Sequence, residues 1–338
     1  MTTNAIKPMM LFLCTLQHLA VDGVCGAVLA AYAVNEAYLE PIIYYFALYN
    51  LVAFGTQFAV GYLLDKRTNF LPYAPTISLA LLILGSVSEF GIMNQVLLLG
   101  AGNSIFHVAA GSVVLRKFDT YKELGIFVSS GAIGLALGLN QLVDAKIFLL
   151  VYAAAIFYVG KNFARIVGHE STEIPRQTKS ALPVTVALVC VILLLGCVVL
   201  RSFGGGGNSS EYVMLFPCAF AFGKILGGLC CDKIGYKNTI AVIFVAGFLA
   251  LQWSGLIAAL ILTVAFNMTM PLTLRLVHWC NPTRPGMMFG LAAGCLLPGV
   301  FAQNFNVAPQ AMIVAQFLSL FAAGTLLKRA WRTTTYDG

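Results

Sequence analysis

Charge is scarce in this chain. Only 10% of its 338 residues are Asp, Glu, Lys or Arg, while 59% are hydrophobic; ordinary soluble domains carry roughly a quarter charged residues. That balance excludes a water-soluble globular protein and indicates an integral membrane protein with small loops. Catalytic signatures are also missing. There is no His-Glu-x-x-His, no phosphate-cradling Gly-Lys-Ser/Thr loop and no Gly-x-Ser-x-Gly elbow, so hydrolysis and nucleotide-driven pumping have no apparatus. The chain is read as no enzyme, with no cofactor, and any work it does would draw on an ion gradient. The net charge of +7 calls for no nucleic acid, because a positive rim facing anionic lipid accounts for it.

Cysteine is present nine times but says little. Cys14, Cys25, Cys190, Cys230, Cys231 and Cys295 lie in apolar stretches, where free Cys behaves as a small hydrophobe. Adjacent Cys230 and Cys231 lack the spacing of a zinc site, and neither a metal site nor a disulfide is expected.

What the sequence has in abundance is apolar runs long enough to cross a hydrocarbon core of about 30 Å as helices. They fall near 9–33, 41–64, 72–91, 95–115, 124–143 and 147–166, then near 182–201, 211–231, 238–253, 255–276, 285–303 and 308–327. This predicts an all-α protein of twelve transmembrane helices in two six-helix halves, residues 1–166 and 181–338. The stretch 167–180, rich in charge and turn formers, is the linker. The first run is read as a retained helix, since no small-residue cleavage site follows it.

A short signature occurs twice. "GYLLDKR" places Gly61, Asp65 and Lys66 where one apolar run ends, and "GGLCCDKIGYK" repeats the arrangement with Gly228, Asp232 and Lys233. Duplicated halves are how many secondary transporters are built. A second pairing sets Gly125 and Gly138 of span five beside Gly286 and Gly299 of span eleven; these small residues suit close helix packing rather than direct substrate contact.

Basic residues set the orientation, because Lys and Arg accumulate on the cytoplasmic side. With the N-terminus inside, all except Lys146, Arg201 and Lys224 fall at inner ends and loops, which predicts a multi-pass cell-membrane protein with both termini cytoplasmic. At that inner mouth Asp65 is positioned to accept hydrogen bonds from the positive N-terminus of span eleven at Arg284, Pro285 and Gly286, with Arg116 as a second partner. The corresponding set in the second half is Asp232 with Arg275 or His278. Lys66 and Lys233 by themselves read as solvated charges.

Ionisable groups at membrane depth are costly and default to functional candidates. His18 and Asp22, four apart on one helix face, fall near the middle of span one, and His107 near the middle of span four. Spans one, four, seven and ten are expected to surround a cavity, so the three could meet there and load and release a proton. Lys224 lies within span eight, free either to face the cavity or to snorkel. Arg201 ends span seven in an outer-gate or interfacial position. Asn103, Asn267, Gln57 and Gln252 are candidates for interhelical hydrogen bonds, while Glu36, Glu40 and Glu89 read as solvated.

Twelve spans, a central loop and Gly-x-x-x-Asp-Lys after spans two and eight resemble the major facilitator superfamily over essentially the whole chain. "LQHLAVDG" with Gln17, His18 and Asp22, "GNSIFHVAAGS" with Phe106 and His107, the "GGLCCDKIGYK" loop and "RPGMMFGLAAG" resemble its fosmidomycin-resistance-like efflux branch. Val108 and Ala109 stand where that branch usually has Pro and an acidic residue. The resemblance implies a monomeric transporter in membrane lipid, exporting a small organic solute, anionic or drug-like, against protons by alternating access. Uptake by proton symport is the alternative within transport; a membrane sensor or lipid-handling protein is the alternative outside it.

Overall fold

The computed structural model describes residues 3–33, 42–87, 89, 91–166, 182–203, 213–304 and 308–336, with backbone alone for 3–6, 159–166, 301–304 and 331–336. The linker, Glu36, Glu40 and the Gly-rich loop 204–210 lie outside the described residues.

The order is α1 (Thr3–Ala33), α2 (Ile42–Asn50), a π-turn (Leu51–Gly55), α3 (Gln57–Lys66), α4 (Ala74–Gly85), α5 (Ile92–Lys117), α6 (Tyr121–Leu139) and α7 (Ala145–Ile166), followed by α8 (Val184–Phe203), α9 (Leu215–Ala250), α10 (Leu256–Cys280), α11 (Pro285–Gly294) and α12 (Pro309–Tyr336). Among the described residues every regular element is helical. Among the described residues nine helices are long and apolar enough to span a membrane, and Ala145–Tyr158 and Pro285–Val300 are shorter apolar helices. Helix ends follow local chemistry. Gly91 and Gly255, at φ 72° and 102°, precede α5 and α10, and Pro285 opens α11, where its missing N–H costs nothing.

Among the described residues eleven apolar elements stand where twelve are predicted, and the difference lies in α9. Predicted spans eight and nine run together as one 36-residue helix, interrupted only at Gly235 with φ 80° and ψ 158°, a conformation open to glycine and strained for other residues. Gly223, on one limb, lies against Val264 and Asn267 of α10, while Gly247, on the other, lies against Ala265. Both limbs pack on the same stretch of α10, so the chain reverses at Gly235.

The larger apolar core gathers α1, α4, α5, α6 and α7 around Val21, Leu99, Phe106, Phe127 and Tyr152. A second core gathers α8, α9, α10 and α12 around Leu194, Ile240, Leu272 and Leu320. Phe289, Ala292 and Ala293 of α11 belong to the first core although they lie in the second half of the chain, so the halves are joined by packed side chains. Large apolar residues such as Ile43, Leu150, Val184 and Ile257 are exposed on the outside of the bundle; with a membrane as solvent this is the lipid-facing surface. The protein is a multi-pass membrane protein.

Candidate functional site

His18, Asp22 and His107 come together between α1, α5 and α6. His18 and His107 are buried, and the Asp22 side chain is 15% exposed. The helices approach closely enough because α6 offers glycine there: a Cβ on Gly131 would overlap Asp22 Oδ2 and His18 Nε2, and one on Gly134 would overlap the Leu19 carbonyl. Phe127, 4.7 Å from the His18 ring between centroids, and Phe106 at 6.1 Å pack against His18.

Hydrogen bonds orient both rings. His18 Nδ1 is 2.8 Å from the Phe127 carbonyl oxygen, and His107 Nδ1 is 2.9 Å from the Asn103 carbonyl oxygen. Carbonyl oxygens only accept, so each Nδ1 carries its hydrogen and donates it. Both Nε2 atoms therefore turn to the same point, 2.8 Å apart. His18 Nε2 lies 3.3 Å from Asp22 Oδ2, and His107 Nε2 lies 3.5 Å from Asp22 Oδ1. The Asn103 amide donates to Asp22 Oδ1 at 2.9 Å. Two imidazole lone pairs and a carboxylate thus face one another, and one proton, or a cation of another kind, satisfies the contact between the two nitrogens.

From the second half of the chain come a half-buried cation, Lys224, and a buried one, Arg201. Lys224 turns inward from α9 and donates from Nζ to the Val128 carbonyl at 3.0 Å, one residue along α6 from the carbonyl that holds His18. It faces the interior between the halves rather than snorkelling to an end. Arg201 is 7% exposed and donates from Nη1 to Thr269 Oγ1 at 3.4 Å and Thr273 Oγ1 at 3.2 Å on α10. It therefore faces inward and is not interfacial. The sequence does not single out Thr269 and Thr273, because hydroxyls inside an apolar helix carry no signal of their own.

Both duplicated aspartates cap a helix of the opposite half. Asp65, with its side chain 1% exposed, accepts from the backbone N–H of Gly286 at 3.1 Å and of Met287 at 2.8 Å, and pairs with Arg116 Nη2 at 2.7 Å. Arg284 lies over the Tyr62 ring, 4.9 Å from its centroid. Asp232 accepts from the N–H of Tyr121 and of Lys122, each at 2.9 Å, and so caps α6. This corrects the expected pairing of Asp232 with Arg275 or His278. Arg275 instead donates to the carbonyls of Leu115 in the last turn of α5, of its C-cap Phe118 and of Thr120, the N-cap of α6, so it holds the turn between the two helices. Lys66 and Lys233 are exposed and take no part in either clasp.

Three expected interhelical hydrogen bonds are local instead. Gln57, Asn267 and Gln252 each donate to the carbonyl four residues back, at Ala53, Thr263 and Phe248, since that acceptor is always within reach on a helix. Glu89 is exposed, as expected. Gly125 packs against the Lys224 carbonyl, Gly286 against the Gly61 carbonyl, Gly138 against the Gly23 carbonyl and Gly299 against the Ser202 carbonyl, which is the packing role expected of them.

No protein-family model matches this chain, and no curated protein does. Solved structures do match over nearly its whole length. One is a bacterial homologue of the iron transporter ferroportin in an outward-facing state, with 11% identity, 97% of this chain and 99% of that one covered, and a TM-score of 0.56. The same homologue soaked with iron matches at 12% identity over 96% and 98%, with a TM-score of 0.57. The Escherichia coli fucose:proton symporter matches at 11% identity over 96% and 98%, with a TM-score of 0.56. At such identities the likeness is one of fold: the chain shares the fold of these solved transporters.

Proposed function

We propose that the protein is a secondary active transporter that moves a small organic solute by alternating access and exports it in exchange for protons, in the manner of the fosmidomycin-resistance-like branch. The observation that carries this reading is the pair of reciprocal clasps. Asp65 of the first half caps α11 of the second, and Asp232 of the second half caps α6 of the first. Hydrogen bonds of this kind form and break as units, which suits a gate that opens one end of a bundle while the other closes.

In this reading residues 1–166 and 181–338 are the two moving halves, joined by 167–180, and the limbs of α9 are separate crossings that bring the total to twelve. The end carrying Asp65, Asp232 and the basic residues is the cytoplasmic mouth, where Arg116, Arg284, Lys66 and Lys233 also lie. His18, Asp22, His107 and Asn103 form the ion-handling set. Among the described residues buried Arg201 donates to neutral threonine hydroxyls, which supports an anionic solute, because a buried cation is stabilised by an opposite charge. The name of one neighbour, a proton symporter, supports proton coupling and keeps uptake by symport as the second reading. The chain acts as a monomer.

Proton movement in proteoliposomes under an imposed solute gradient tests this, with fosmidomycin and other small anions as the panel. Solute-driven proton flux that disappears in Asp22→Asn is the expected result. Solute flux without proton flux would remove the coupling, and no flux with any panel member would remove transport of this solute class.

A further inference from the structure

The buried cluster has the donor set of a metal site. Three features set it apart from a chance grouping of polar side chains. Both imidazoles have their Nδ1–H committed to backbone carbonyls, which is the outer hydrogen bond that ligating histidines usually make and which turns the basic Nε2 lone pair toward the metal. The carboxylate is held by the Asn103 amide, and ligating carboxylates are likewise steadied by a hydrogen bond. Finally, Asn103 Oδ1, on that same buried amide, has no hydrogen-bond partner among the described residues.

The spacing fits as well. Nε2 to Nε2 is 2.8 Å, and the two Nε2 to carboxylate oxygen distances are 3.3 and 3.5 Å. The 3.3 and 3.5 Å distances end on different oxygens, Oδ2 and Oδ1, and an ion about 2.1 Å from both nitrogens, the ordinary length for imidazole, sits just off the line that joins them, on the carboxylate side. The three ligands then occupy neighbouring positions of one face and leave the opposite face open. The side chains of His18, Asp22 and His107 reach this arrangement without moving apart.

We propose that His18, Asp22 and His107 bind a divalent first-row transition-metal ion through both Nε2 atoms and the Asp22 carboxylate. Two nitrogen donors select against Mg2+ and Ca2+, which prefer oxygen throughout, and two histidines with one carboxylate on one face suit Fe2+ and its neighbours in the row. Lys224 Nζ is held on the Val128 carbonyl, next to the Phe127 carbonyl that holds His18, and its charge opposes that of the ion, so it tunes the affinity downward. The inference goes beyond the transport reading, because it requires binding only.

The test titrates the full chain in detergent micelles with Co2+ in excess Mg2+, reading the visible absorption of bound Co2+, the metal content per chain and the ligand set by X-ray absorption. One Co2+ per chain is expected, with nitrogen and oxygen ligands and imidazole outer-shell scattering. His107→Gln and Asp22→Asn should each weaken binding at least about 10-fold, and Asn103→Ala by about 10-fold through the loosened carboxylate. Lys224→Met should tighten it several-fold, a change that a purely structural cluster would not produce. Wild-type protein that keeps no Co2+ against Mg2+, sulfur ligation from the cysteines, or binding unmoved in both ligand variants would each overturn the proposal. The wild-type and Lys224→Met titrations decide the matter even if a ligand variant fails to fold. A chain that binds Co2+ yet moves no solute removes the transport reading and leaves this one, and the converse result does the opposite.

Discussion

Gly61 of α3 and Gly286 of α11 meet backbone to backbone, with the space a Cβ on Gly61 would need already filled by the Gly286 carbonyl and the Met287 nitrogen. The same relation recurs between Gly228 of α9 and the Tyr121 carbonyl with Lys122 Cα at the start of α6. Each contact lies one helical turn before the aspartate that caps the opposing helix. Small residues therefore let the helices approach, and the approach brings the backbone N–H groups to the carboxylates.

Replacing Gly61 or Gly228 by Val should keep this end of the bundle open. Amide hydrogen exchange at Gly286–Met288 for the first variant, and at Tyr121–Glu123 for the second, should rise by at least about 10-fold as the clasp opens. Protection equal to wild type would show that the halves close without this contact.

Asp65→Asn removes a buried charge from a helix N-terminus and from Arg116, while Asp232→Asn removes a more exposed one. The first should cost about 2 kcal/mol and the second about 0.5 kcal/mol of closure free energy, so only Asp65→Asn shifts the closed population by more than about 5-fold. Energy transfer between labels on α3 and α11 measures that population. Equal effects of the two substitutions would mean that burial does not set the strength of the clasps.

Arg275 satisfies three carbonyls across the turn between α5 and α6 from the other half of the molecule. Arg275→Ala leaves them without donors and should cost about 3 kcal/mol or more. Arg275→Lys should lie between wild type and Ala, because an ammonium reaches fewer of the three acceptors. Thermal melting in detergent checks the order wild type, Lys, Ala; any other order would place the stabilising role of Arg275 elsewhere.

Arg201 should act on anionic ligands selectively. Arg201→Gln keeps a donor for Thr269 and Thr273 but loses the charge, and binding of an anionic solute should weaken by about 10-fold or more, with a neutral analogue little affected. Equal loss for both would make Arg201 a structural residue.

The sequence alone determined the class of protein, the positions of the apolar helices, the duplicated signature and the placement of His18, Asp22 and His107 at one depth, because hydrophobic run length and residue spacing are local properties. It also indicated that Asp65 would meet the start of α11, since a helix N-terminus can be read from Arg284, Pro285 and Gly286. Other partners that are backbone atoms were beyond it. That Asp232 caps α6, that Arg275 grips the end of α5 and that Phe127 and Val128 offer adjacent carbonyls to His18 and Lys224 depend on where main-chain groups fall after helices dock. Every residue carries the same carbonyl, and every residue but proline the same N–H, so no pattern of side chains distinguishes the ones that will be used. The tertiary structure decided them through helix register, and it decided by the same means that two histidines point the same nitrogen at one carboxylate.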